Sequence, residues 1–129
     1  MNAPVLNGRL LADLLRDPTR AATLSADQWN AVLTIARGEL LLGTLAYRLA
    51  DVAVPDAVAR ILSDGRVDAD HARLKALFEA TMTARALAAK GAPIVLLKGT
   101  AYAAANLTAA QGRHIGDTDI LVPKDALPA

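Results

Sequence analysis

The sequence has no cysteine, which excludes disulfides, thiolate metal sites and a cysteine nucleophile. Aromatic residues make up only 3%, so any core is left to Leu, Ala, Val and Ile. Neither charge is in excess: 14 basic against 13 acidic residues give a formal net charge of +1. That balance provides no electrostatic footprint for general nucleic-acid or membrane binding. No apolar run is long enough to span a bilayer, because charged residues interrupt each one. The opening MNAPVLNGRLLADLLRD lacks the basic region and apolar run of a secretory leader. P-loop, dinucleotide-binding glycine, Gly-x-Ser-x-Gly and His-Glu-x-x-His patterns are also missing. A soluble, cytoplasmic protein is the default expectation.

What is present is a folding pattern. Hydrophobic residues make up 53% and charged residues 21% of the 129, enough to bury a core in one domain's worth of chain. The first ninety or so residues read as helical. Leu10, Leu11, Leu14 and Leu15 recur at helical spacing before Asp17-Pro18. Ser25 and Gln28 form the S-x-x-Q signature of a capping box, and Gly38 closes the helix that follows. ELLLGTLAYRLAD is apolar on nearly every side and reads as the buried helix of a small bundle. Pro55-Asp56 opens a short helix that Gly65 is expected to close. A long helix is then expected from about Arg66 to Lys90. Its apolar stripe would be Leu74, Leu77, Phe78, Thr81, Ala84 and Ala88, with Arg73, Glu79 and Arg85 turned to solvent. Gly91 and Pro93 end it.

The texture then changes. PIVLL (93–97) is short, continuously apolar and branched, as in a buried strand. GTAYAAANL reads as a short helix, TAAQGRHIGD as a loop, and DILVP (119–123) as a second buried strand. The fold class is therefore α+β, mainly α: a helical N-terminal region over 1–91, then strand, helix and strand over 92–129.

The candidate chemistry lies in this second part. Residues at i and i+2 of a strand point to one face, so Asp117 and Asp119 would project side by side, with Thr118 turned away. Two adjacent carboxylates repel unless a cation sits between them, and Mg²⁺ (or Mn²⁺) prefers such oxygen ligands. A pair of such ions can clamp the attacking and leaving oxygens of a phosphoryl transfer. Lys98-Gly99-Thr100 offers the complementary half: a glycine at a helix start, where backbone N–H groups can approach an anion, a hydroxyl, and a cation. Arg113 could neutralise phosphate through its planar fork. His71, His114, Trp29, Tyr47 and Phe78 carry no further pattern and read as solvated, core or interface residues.

The order PIVLLKGTAYA…GRHIGDTDILVP, over residues 93–123, resembles the nucleotidyltransferases of the DNA polymerase β superfamily. It is most similar to a small uncharacterised bacterial branch akin to abortive-infection and toxin-type enzymes. The resemblance implies that Asp117 and Asp119 are the catalytic, metal-binding pair. It further implies that Lys98, Gly99, Thr100 and Arg113 contact the phosphates of an NTP. The resulting expectation is metal-dependent transfer of NMP to an unknown acceptor. The superfamily also needs a third carboxylate on a later strand, and its sheet needs more than two strands. The expectation is thus that these 129 residues are the N-terminal fragment of a longer protein, catalytically weak or dead. Such a fragment would expose a sheet edge able to pair with a second copy. The competing reading is a helical interaction or assembly module carrying a degenerate, non-catalytic remnant of the same site.

Overall fold

The computed structural model describes residues 8–128. The first seven residues, which carry part of the reading against a leader, lie outside the described residues, as does Ala129. The elements are α1 (Arg9–Arg16), α2 (Ala26–Gly38), α3 (Leu42–Arg48), α4 (Asp56–Ala88), β1 (Val95–Leu96), α5 (Lys98–Ala104) and β2 (Ile120–Leu121). The fold is α+β and mainly α, as the sequence predicts. Among the described residues no helix is long and apolar enough to cross a membrane. The chain divides into two compact units between Asp68 and Ala69, inside α4.

In the first unit, Leu11 and Leu14 of α1 join Trp29, Val32, Leu33 and Ala36 of α2 and Leu45 and Ala46 of α3 in one apolar cluster. The capping box is formed: the Ser25 side chain accepts from the Gln28 backbone N–H at 3.2 Å, and Gln28 accepts from the Ser25 backbone N–H at 2.9 Å. The α2–α3 junction turns at Leu40, whose φ of 59° lies in the left-handed region. Arg48, in the last turn of α3, donates from Nε to the Leu15 carbonyl at 2.7 Å. It thereby satisfies an end-of-helix acceptor of α1 that has no partner within its own helix. Between α1 and α2, hydrogen bonds donated by the Thr19 hydroxyl and backbone N–H hold the Asp17 carboxyl below its ordinary value.

Gly65 does not stop a helix. α4 runs unbroken for 33 residues from Asp56 to Ala88, which corrects the expectation of two separate helices. The glycine serves packing instead: a Cβ there would lie 2.7 Å from Leu42 Cγ and 2.9 Å from Leu42 Cδ2. Gly65→Ala is accordingly expected to destabilise the protein. Alanine would gain roughly 1 kcal/mol in helix propensity, but overpacking a tight contact costs about 1–3 kcal/mol. A thermal melt checks this; a raised Tm would mean that Leu42 gives way freely.

In the second unit the rest of α4 packs through Ala76, with Leu77 against it, onto Ala103 of α5, Ala110 and Ile115. The face differs from the expected stripe. Leu74 and Phe78 are 64% and 66% exposed, while Arg73 is partly buried and donates to the Ala103 carbonyl and to Asn106 Oδ1 at the end of α5. The alanines let α4 and α5 approach closely, and that favours the Ala76 face over the bulkier one.

The two strands are antiparallel, with Val95 opposite Leu121 and Leu96 opposite Ile120. They are not buried strands, as the continuous apolar runs suggested. Val95 and Leu121 are 56% and 59% exposed, while Ile94, Leu96, Ile120 and Val122 are half-buried. That alternation is the pattern of a sheet with one covered face.

Candidate functional site

The β1–β2 register builds the site. Beyond the two paired residues of each strand, the Leu97 N–H donates to the Asp119 carbonyl at 3.0 Å. Asp119 therefore sits at the end of the ladder, immediately before β2, and Lys98 follows Leu97 at the start of α5. Residues 21 apart in sequence are thus brought side by side. Lys98 Nζ lies 2.8 Å from Asp119 Oδ2. The hydrogen bond and charge of Asp119 raise the Lys98 ammonium above its ordinary value, and the charge of Asp117 adds to the effect. Both carboxylates act on one cation.

The expected strand does not reach back over both aspartates, since residues 113–119 are irregular. Even so, the alternation holds. Asp117 is exposed and Asp119 only partly covered, whereas the Thr118 hydroxyl between them is buried with no hydrogen-bond partner among the described residues.

Lys98 has a φ of 54°, a left-handed conformation disfavoured for any residue with a Cβ. Backbone strain of this kind collects where the surrounding structure needs a side chain in an awkward place. The following residue, Gly99, has an ordinary φ and answers a different need. A Cβ on it would lie 3.2 Å from Arg113 Nε and 3.6 Å from Ile115 Cγ1. Its bare backbone is what lets the Arg113 side chain lie across the first turn of α5.

One turn on from Gly99, Tyr102 presents its ring to the same arginine, with the guanidinium carbon 5.4 Å from the ring centroid. The sequence reading passed over Tyr102. The signal was its position three residues after Gly99, on the same side of a helix. Thr100 turns inward and is only 1% exposed, and its hydroxyl has no hydrogen-bond partner among the described residues. Of the six residues singled out from sequence, four therefore present reachable polar groups: Lys98, Arg113, Asp117 and Asp119. Gly99 and Thr100 form the buried turn beneath them.

The residues present suit a divalent cation in one specific respect: Asp119 already holds an ammonium at 2.8 Å, with the exposed Asp117 two residues away. Among the described residues no group of three or more His, Cys, Asp or Glu side chains is placed to hold a metal ion. A family model described as an uncharacterised nucleotidyltransferase matches residues 25–129. The match begins at Ser25, the N-cap of α2, so it takes in α2 to α4 as well as the Asp-x-Asp segment. No curated protein and no solved structure matches the chain.

Proposed function

Because the chain belongs to this uncharacterised nucleotidyltransferase family, we propose that its site binds an NTP together with Mg²⁺ or Mn²⁺ for NMP transfer to an acceptor. The observation that carries this reading is the ion pair of Lys98 with Asp119 at the end of the β1–β2 ladder, with the exposed Asp117 two residues away. A divalent ion held there would neutralise triphosphate charge and polarise the α-phosphate. Asp117 and Asp119 are its ligands. Lys98 and Arg113, both exposed, are the cations that meet the phosphates. The Arg113 fork rises from Gly99 to pair with phosphate oxygens, and the Gly99–Thr100 turn fixes the start of α5 beneath them. In the transfer, the oxygen of an acceptor hydroxyl bonds to the α-phosphorus as the bond to the bridging oxygen breaks; pyrophosphate leaves with that electron pair, and the hydroxyl proton passes to water.

The assembly-module reading is favoured by a specific observation in the same unit: Leu74, Phe78, Val95 and Leu121 all present exposed apolar side chains. Mn²⁺ and a non-hydrolysable NTP soaked into crystals separate the two. The expected result is an anomalous peak between Asp117 and Asp119, with phosphates near Lys98 and Arg113. Ordered, accessible aspartates with no peak at high Mn²⁺ would leave the assembly module as the better reading.

A further inference from the structure

Resting on the metal-and-nucleotide reading of the site, we propose that Lys98 is a built-in counter-cation of the aspartate pair. Its ammonium holds the place of the divalent ion and is released to the triphosphate when metal and nucleotide arrive together. Lys98 is then a positioning residue that couples the two ligands.

Three observations carry this. The Lys98 Nζ sits 2.8 Å from Asp119 Oδ2, which is ligand-like proximity to a carboxylate assigned to metal. Asp117, two residues before Asp119, is exposed while the Thr118 hydroxyl between them is buried, so a second carboxylate stands next to this ion pair. The backbone of Lys98 adopts φ 54° although the next residue is glycine, so the strained position is filled by a long cationic side chain. A residue that only had to turn the chain would be glycine at lower conformational cost.

The physical consequence is competition. A divalent ion bound to Asp119 and an ammonium bound to the same carboxylate repel, and the double charge makes that repulsion twice that between unit charges. The Lys98 side chain is 74% exposed on its four-carbon stem, free to swing away, but without a new anion it gains nothing by leaving. A triphosphate supplies that anion. Metal alone should therefore bind weakly, and metal with nucleotide cooperatively, because each removes a cost of binding the other.

The test uses Mn²⁺ alone, titrated against the intact protein and followed by EPR of the free ion, for wild type, K98M and K98G. K98G also relieves the left-handed backbone, so the two variants separate loss of charge from any folding defect. Both are expected to bind Mn²⁺ more tightly than wild type. The size expected is roughly three- to tenfold, that of one neighbouring charge acting through a high effective dielectric. A non-hydrolysable NTP should then tighten Mn²⁺ binding of wild type more than that of K98M. Unchanged or weaker Mn²⁺ binding by both variants, with D119N still reducing it, overturns the counter-cation role and leaves the metal site standing. If D117N and D119N also leave Mn²⁺ affinity unchanged, the metal reading itself fails and the role of Lys98 fails with it.

Discussion

Asp119→Asn is expected to remove Mn²⁺ binding and metal-dependent NTP binding together, with a loss in metal affinity of at least about a hundredfold. The figure follows because changing only an outer-sphere partner of a metal ligand already costs roughly 10–100-fold, and Asp119 is proposed as a direct ligand. The substitution keeps the side chain's shape and one oxygen while deleting the charge that a hard cation requires. Its effect on folding is expected to be small, because the ion pair it breaks is between exposed side chains, 74% and 42% accessible, where water screens the attraction. Calorimetric titration with Mn²⁺, paired with a melting curve, makes the check. A variant that melts like wild type but no longer binds metal supports the assignment. One that binds metal as well as wild type would remove Asp119 from the site and with it the proposed role of the pair. Asp117→Asn should behave alike. The shared effect would show that the two carboxylates act as a unit.

Leu45→Ala is expected to cause the largest loss of stability, about 3 kcal/mol, within the roughly 2–5 kcal/mol seen when a fully buried leucine is cut back to alanine. Leu45 is 0% exposed and lies in the middle of α3, a helix of seven residues. A helix that short has little intrinsic stability. What keeps it folded is the cluster formed with α1 and α2, to which Leu45, Ala46 and Leu49 contribute. The cavity left behind would be lined by short aliphatic groups held on three helices, which cannot all collapse inward. Thermal melting followed by circular dichroism should show Tm lowered by about 10 °C or more. A shift within a degree or two would mean that α3 is not a core element, and the packing described for the first unit would need revision.

Local chemistry was legible in the sequence wherever the information lies within a few residues. The capping box at Ser25 and Gln28, the helix end at Gly38, the strand positions after Pro93 and before Pro123, and the inward turn of Thr118 all depend on spacing along the chain. The same spacing misled where two structural reasons share one residue type. A glycine between helical segments can mark a stop or a close contact, and only the position of Leu42 shows that Gly65 is a contact. A 3.6-residue period on an alanine-rich helix allows two phases. Leu74 and Phe78 made one phase look like the core, yet the small side chain at Ala76 decided for the other by permitting closer approach.

The sequence by itself determined the helical start, the α+β class and the residue types from which the site is made. Only the tertiary structure decided which of them meet. Antiparallel pairing carries Leu97 to Asp119, so Lys98 reaches a carboxylate 21 residues away, and Arg113 settles on Gly99 and Tyr102. No local rule fixes that register: the apolar runs of β1 and β2 could pair in several offsets. The choice among them is made by burying Ile94, Leu96 and Ile120 on one face and leaving Val95 and Leu121 on the other.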